Sequence, residues 1–500
     1  MSSTIAGQRV LENYIGGKWV STTEPDTLTV NNPATGEVLA LVPMSSAEEL
    51  DAAVCAAREA LPSWRAVSVT ERTRRLFVLH ERLDRRREDL ARAVTTEMGK
   101  TIADARAEVT RMIEMVEAAC AVPTTMQGRV IEDVSRNVDC ETVRQPVGVC
   151  AAISPFNFPA MVPFWFLPFA LACGNAFVLK PSEQVPLTQQ IAFEELDALD
   201  LPPGVVSLVN GGREVVEAIL EHPGIDAVSF VGSASVARLV YERAARAGKR
   251  VQALGGAKNH IVAMPDADIE RTVAGVVGSA FGAAGQRCMA GSVLVTVADA
   301  DDRLLGPLVD AARSLRVGNG FEEATDVGPV ISISAYERIS GYVERALSAG
   351  ASLAAGGIEE AGSGRGGCFV PPTVIDRARS EMEIAREEVS GPVLAVIRVG
   401  SLDEAIEVVN GGNYGNGASI FTENGGAVRR FRQRVEAGMV GVNIGVAAPV
   451  AFFPFSGWKD SFLGDLHAHG PDAVEFFTRK KTVTSRWFSA GDAGAFFVER

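Results

Sequence analysis

Histidine and cysteine are scarce and scattered in this chain, at five and seven among 500 residues. No CxxC pair or His cluster occurs, so the usual zinc frameworks are excluded and no metal is expected. The cysteines stand at positions 55, 120, 140, 150, 173, 288 and 368, an odd number without close pairs. Such spacing argues against a disulfide scaffold and for a reducing, cytoplasmic setting. Basic charge is also in deficit, with 48 Lys and Arg against 62 Asp and Glu, a net charge of −14. A chain of that sign is a poor match for nucleic acid or an anionic membrane surface. No uninterrupted apolar run is present either. The most apolar stretch, 156–179, is broken by Asn157, Pro159, Pro163, Pro168, Gly174 and Asn175, so no membrane span is expected. Residues 1–10 are polar and lack the pattern of a signal peptide.

What remains is a globular balance, 47% hydrophobic and 22% charged, in a chain too long for one ordinary core. Tyr14 to Val20 alternates around Gly16-Gly17 as a first hairpin would. Helical patterns follow over 46–61, 70–86 and 89–118, and the basic stretch 72–92 reads as a solvated helix face. From Val143 the texture changes. Apolar runs at 147–153, 176–179, 205–209, 227–231 and 251–254 alternate with helical segments near 186–199, 214–221 and 235–247. Strand, helix, strand at this spacing predicts a buried parallel sheet with helices on both faces. A second α/β series runs from Lys258 to about Gly445, and 478–487 alternates as an exposed strand that is able to pair across a subunit boundary.

Several windows carry chemistry. Cys288 follows the small run Phe281-Gly282-Ala283-Ala284 within Gly285-Gln286-Arg287-Cys288. The adjacent Arg287 and nearby backbone amides favour a thiolate, which is a strong nucleophile. By itself the window more often describes a small core cysteine. Ser154-Pro155-Phe156-Asn157 ends a predicted strand, where the Asn157 amide can donate to an oxyanion, although the window alone reads more readily as a simple turn. Lys180 and Glu183 end the next strand, where such a pair grips ribose hydroxyls or phosphate. Gly232 and Ser233 open a helix after another strand, a natural pyrophosphate seat. No GxGxxG joins a strand to a helix across 147–260, so the standard dinucleotide fingerprint is missing there.

In order, PFNFP, KPSE, FVGS, LGG, GQRC, EEVSGPV, NYGNGAS and PFSGWK resemble the NAD(P)-dependent aldehyde dehydrogenase superfamily over Tyr14 to Trp487. The resemblance implies Cys288 as nucleophile and Asn157 as oxyanion donor. It implies NAD as cofactor, held by Lys180 and Glu183 at the adenosine ribose, by Ser154, Phe156, Gly232 and Ser233, and by Glu388 at the nicotinamide ribose. One departure bears on subtype. Most members carry Glu immediately before Leu-Gly-Gly to activate the water that hydrolyses the thioester; here that position is Ala253. A methyl group accepts no proton, so deacylation needs a better nucleophile than water, and the thiol of coenzyme A fits. GAKNH, QRCMAGS and the stretch FFPFSGWKDSFLGDLHAHG resemble the CoA-acylating methylmalonate-semialdehyde (malonate-semialdehyde) dehydrogenases. Ser390 departs from that pattern, where an aromatic is usual.

Such substrates carry a carboxylate, and two arginines suit it. Arg287 precedes the nucleophile, and Arg111 shares a helix face with Ala107 and Met115. The competing reading of Arg111 is a surface ion pair with Glu108 or Glu114. The expected fold is α/β: a doubly wound NAD-binding domain (1–125 and 146–255), a second α/β catalytic domain (256–445) and a small β oligomerisation extension (126–145 and 472–490). The expected activity is NAD-dependent, CoA-acylating oxidation of the semialdehyde with decarboxylation to propionyl-CoA or acetyl-CoA, in a homotetramer built as a dimer of dimers. Two rivals stand beside it: a hydrolytic semialdehyde dehydrogenase that recruits another base, and a catalytically silent structural or ligand-binding relative.

Overall fold

Five short runs of β-branched and small apolar residues form the centre of an eight-stranded sheet in the computed structural model, which describes residues 4–5, 8–22, 26–357 and 367–488. The runs are Val149–Ile153, Ala176–Lys180, Val206–Leu208, Ala227–Val231 and Arg250–Leu254, and nearly every residue in them is buried. Continuous burial without alternation is what a parallel sheet covered on both faces requires. Neighbouring strands among these five are parallel. The chain starts at Val149–Ile153, winds outward through Ala176–Lys180 to Val206–Leu208, then returns to Ala227–Val231 on the other side. The order therefore reverses between Val149–Ile153 and Ala227–Val231, and a doubly wound sheet binds its ligand beyond the carboxyl ends at such a reversal.

Both edges of this sheet are closed by antiparallel strands. Tyr14 pairs with Leu208, bringing in the hairpin Asn13–Ile15 and Lys18–Val20, whose turn residues Gly16 and Gly17 take φ of 62° and 77°. Two positive φ values in a two-residue turn need glycine. At the far edge Ala253 and Leu254 pair with Leu463 and Phe462. Residues from 446–471, which the sequence left outside any domain, thus return to the first sheet.

A second sheet of seven strands has its own apolar core. Its strands are Ser352–Ala355, Thr373–Asp376, Val393–Val399, Gly291–Val297, Asn259–Ala263, Gly417–Phe421 and Met439–Val442, and only the first runs antiparallel to its neighbour. A third sheet joins Arg129–Ser135, Val138–Pro146 and Thr478–Arg486, the last in continuous register from Thr478↔Pro146 to Arg486↔Val138. Of the expected domain ranges, residues 1–3, 6–7, 23–25, 358–366 and 489–490 lie outside the described residues.

Two expectations are corrected. The helix expected over 89–118 is two, Arg87–Met98 and Ile102–Cys120. Gly99 ends the first at φ 92° and Thr101 caps the second by accepting from the Asp104 amide. The apolar periodicity runs through this break and hides it. Arg72, assigned to a solvated face, is buried: it donates to the carbonyls of Ala172 and Val67 and packs under Gly174.

Candidate active site

The segment that carries Cys288 is bent by its own small residues. After the helix Ile269–Phe281, Ala283, Ala284 and Gly285 all take positive φ, at 50°, 53° and 67°. A Cβ on Gly285 would lie 2.1 Å from the Gly391 carbonyl oxygen, and one on Gly282 would overlap the Arg287 guanidinium at 1.5 Å. Glycine at 282 therefore makes the room that Arg287 occupies, and glycine at 285 lets the turn approach the loop after Glu388. Left-handed alanines are uncommon and are held by the surroundings. Here the Ala283 amide donates to Asp104, and the Cys288 carbonyl accepts from the side-chain amides of Asn259 at 2.8 Å and Asn416 at 3.0 Å.

Cys288 lines a cavity of about 200 Å³ between the two sheets' loops. Phe158, Met161, Trp165, Met289 and Phe455 give it apolar walls, and Arg111, Arg287 and His469 give it polar ones. Burial pushes the Cys288 thiol up to about 12, helped by the negative charge of Glu388. The amides of Cys288 and Met289 and the charge of Arg287 act the other way. Arg287 and the amides thus favour the thiolate, as the sequence suggests, but burial and Glu388 outweigh them in the ligand-free site.

Arg111 and Arg287 reach the same cavity from different elements. Arg111 shares its wall with Ala107 and Met115, one helical turn away on either side, and also forms the surface ion pair with Glu114 at 2.7 Å. The two readings of Arg111 are therefore compatible. Arg287 lies 3.5 Å from Asp104, a loose pairing that leaves guanidinium donors open.

Asn157 is not part of that wall; it stands partly buried on the adjoining turn. Its carbonyl is pinned by Lys100 at 2.8 Å. Lys100 also pairs with Glu108 at 2.6 Å and lies over the Phe158 ring, while Glu108 accepts from the amides of Ala160 and Met161. Lys100, Glu108, Asn259 and Asn416 were not assigned from sequence. The two asparagines fall within GAKNH and NYGNGAS, so the motifs marked the places. Lys100 stands in the helix break and Glu108 within the helix that follows, and neither leaves a periodic signal.

The cofactor candidates gather at the carboxyl ends of the first sheet. Lys180 and Glu183 form an ion pair at 2.7 Å. Burial pushes Glu183 up, yet the charge and hydrogen bond of Lys180 hold it below the ordinary carboxylate range. The Ser154 amide donates to the Lys180 carbonyl, so the two strand ends move as one. Phe156 is partly buried on the same turn as Asn157. Gly232 faces the Phe230 ring, which a Cβ would meet at 2.4 Å. Ser233 precedes the helix Ala234–Arg246 and makes no side-chain cap, so the first amides of that helix stay available. Open helix amides at the strand-order reversal, with a lysine–glutamate pair one strand over, fit a dinucleotide.

Glu388 is partly buried. Its carboxylate accepts from the Ala257 amide, and a Cβ on Gly256 would lie 2.7 Å from it. Burial pushes this carboxyl up to about 7. Ser390, two residues on, takes φ 47°. Ala253 is fully buried in its strand, opposite Phe230 and Leu463, and brings no titratable group.

Among the described residues no group of His, Cys, Asp or Glu is arranged to hold a metal, and no helix is long and apolar enough to cross a membrane. The sequence profile of the aldehyde dehydrogenase family matches residues 19–483. Malonate-semialdehyde dehydrogenase 2 of Geobacillus kaustophilus HTA426 is 51% identical over 481 residues, spanning 96% of this chain and 99% of that protein. A crystal structure with NAD, described as a methylmalonate-semialdehyde dehydrogenase from Sinorhizobium meliloti 1021, superposes with a TM-score of 0.95 at 41% identity, covering 97% of this chain and 99% of the other. That of methylmalonate-semialdehyde dehydrogenase from Oceanimonas doudoroffii gives 0.94 at 43% identity, covering 96% and 99%.

Proposed function

The chain belongs to the aldehyde dehydrogenase family, and from that premise we propose that it is an NAD-dependent, CoA-acylating semialdehyde dehydrogenase. Its substrate is malonate or methylmalonate semialdehyde, and its product after decarboxylation is acetyl-CoA or propionyl-CoA. The observation that carries this reading is one cavity holding Cys288, Arg287 and Arg111, in a chain that has Ala253 where most family members carry the base.

In this reading Cys288 attacks the aldehyde carbon through Sγ. The side-chain amide of Asn157 and the backbone amide of Cys288 receive the oxyanion. Arg111 and Arg287 hold the substrate carboxylate by charged hydrogen bonds and so orient the aldehyde towards Sγ. Lys180 and Glu183 hold the adenosine ribose, Ser154, Phe156, Gly232 and Ser233 line the path of the pyrophosphate, and Glu388 meets the nicotinamide ribose. Bound NAD accepts the hydride. Loss of the carboxylate as carbon dioxide, with a proton from solvent taken up at the carbon it leaves, gives an acetyl or propionyl thioester on Cys288, and the thiol of coenzyme A takes the acyl group with release of the cysteine.

The domain ranges proposed are 1–125 with 146–255 for NAD, 256–445 for catalysis and 126–145 with 472–490 for assembly. The third supports a homotetramer: Val130 and Ile131 on its outer strand are exposed apolar residues, and Thr478–Arg486 has a free edge. The cysteines are all free, which supports a reducing cytoplasmic location.

The test supplies each semialdehyde with NAD, with and without CoA, and identifies products by mass. Acyl-CoA formation that Cys288→Ala abolishes, with NAD binding retained, is the expected result. A free acid made equally fast without CoA would overturn the acylating assignment.

A further inference from the structure

Lys258 is a buried lysine without a partner. It is 5% exposed, and its Nζ makes no hydrogen bond or ion pair. It lines a second cavity of about 330 Å³, with Tyr414 and His260. An ammonium group in that position is expensive to keep charged unless a counter-charge is near. The counter-charge that acts on it most is Glu388, whose carboxylate docks on the same turn: the amide of Ala257, the residue before Lys258, donates to it, and Gly256 abuts it. The two charges act on each other without touching. Glu388 is also the anion that acts on the Cys288 thiol.

We propose that Lys258 is a positioning residue that supplies Glu388 with its counter-charge, so that Glu388 meets the cofactor ribose as a carboxylate acceptor. The inference rests on the reading of Glu388 as a cofactor contact. A protonated Glu388 keeps one oxygen as a donor and loses acceptor capacity towards ribose hydroxyls. A cation held in the buried space behind the Gly256 turn biases it towards the ionised form without competing for its oxygens. That explains why the Nζ is left unpaired: a direct salt bridge would occupy the oxygens the ribose needs.

The other charged groups here do not replace it. Arg338 acts on Glu388 from its helix, but its guanidinium donates to the Val389 carbonyl. Glu387 adds a like negative charge beside Lys258, and His260 is neutral, pushed down to about 4 by burial and by Lys258 itself. Lys459 is drawn off by Glu436 and two carbonyls. Tyr414 stays protonated, held at about 12 by burial and the surrounding carboxylates. Arg386, Glu404 and Glu407 line the outer part of the cavity. Burial pushes Glu388 up to about 7 and Lys258 down to about 7, each shift already offset in part by the other's charge, so the pair changes charge across neutral pH.

The experiment measures the NAD dissociation constant by fluorescence quenching from about pH 6 to about pH 9. It compares the unmodified enzyme with Lys258→Met, Lys258→Arg, Glu388→Gln and the double variant Lys258→Met/Glu388→Gln. Lys258→Met should weaken NAD roughly tenfold at pH 7, about one pKa unit of lost stabilisation, and converge on the unmodified enzyme near pH 9, where Glu388 ionises unaided. Lys258→Arg, charged throughout, should keep tight binding to lower pH. Glu388→Gln should bind weakly at every pH, with no further loss on adding Lys258→Met. Should Lys258→Met fail to fold, the Lys258→Arg profile decides alone, and a profile identical to the unmodified enzyme counts against the proposal. A Lys258→Met effect that is independent of pH, or that adds fully to Glu388→Gln, would overturn the role of Lys258. Unchanged NAD binding in Glu388→Gln would instead overturn the cofactor reading of Glu388.

Discussion

Lys100 and Glu108 are 2.6 Å apart, with side chains 1% and 0% exposed; Lys100 stands in the break between the helices Arg87–Met98 and Ile102–Cys120, and Glu108 stands inside the second helix. The pair is the clamp beneath Asn157: Lys100 holds the Asn157 carbonyl, and Glu108 holds the amides of Ala160 and Met161. Removing one partner leaves the other charge buried and uncompensated, which typically costs about 3–5 kcal/mol. Lys100→Met should therefore lower unfolding stability by about that amount in urea and lower kcat, because the turn bearing the oxyanion donor loses its anchor. A loss below about 1 kcal/mol with unchanged kcat would show that the clamp does not position the turn.

Arg111→Leu and Arg287→Leu should each raise KM for carboxylated semialdehydes far more than for propanal. Loss of one charged hydrogen-bond partner in a desolvated site costs roughly 2–5 kcal/mol. Arg287 should show the larger effect, since its side chain is 20% exposed against 46% for Arg111, whose Glu114 pairing and solvent access screen it. Equal effects on both substrates would assign the arginines to folding.

The architecture was largely legible because its determinants are local. The runs VCAAI, AFVLK and AVSFV are too short and too uniformly apolar for anything but buried strands, and their spacing leaves room for a helix between each pair. Arg111 was legible because helical periodicity sets it with Ala107 and Met115. Long-range burial was not. Nothing in the sequence around Arg72 distinguishes it from its solvated neighbours, since its carbonyl partner at Ala172 is 100 residues away. The state of Cys288 was misjudged for the same reason: Arg287 is adjacent in sequence, whereas Glu388 and the apolar walls come from elsewhere.

With burial and the charge of Glu388 pushing the thiol up to about 12, Cys288 should be mostly protonated at neutral pH. Its alkylation by iodoacetamide should rise roughly tenfold per pH unit between about pH 7 and about pH 10 without a plateau. Glu388→Gln removes an anion that raises the thiol, so it should speed alkylation at a fixed alkaline pH. A plateau near pH 7 would mean that the ligand-free thiol is already ionised.

Glu183 should make NAD the preferred cofactor. Its carboxyl is held ionised by Lys180, so it accepts from ribose hydroxyls and repels a 2′-phosphate. Lys180 offsets part of that repulsion. Glu183→Gln should therefore narrow the ratio of kcat/KM for NAD over NADP. Equal efficiency of the unmodified enzyme with both cofactors would contradict the assignment of Glu183.

The identity of the second substrate turns on Ala253. Its side chain is buried opposite Phe230 and Leu463, and neighbouring Gln252 is engaged with Ser229 at 2.7 Å, so this strand end presents no proton acceptor to water. An acyl group on Cys288 then waits for a nucleophile that needs little help, and a thiol ionises far more readily than water. Mixing the enzyme with excess semialdehyde and NAD in a stopped-flow cell should give a burst of about one NADH per active site, followed by a slow phase. Adding CoA should convert the slow phase into steady turnover while leaving the burst amplitude unchanged, because CoA acts only after the hydride has left. The carboxylate best placed to undermine this expectation is Glu388, whose pKa of about 7 suits a general base and whose charge reaches Cys288. Fast, sustained turnover to the free acid without CoA would withdraw the acylating assignment, and its loss in Glu388→Gln at saturating NAD, with the NADH burst retained, would identify Glu388 as the missing base.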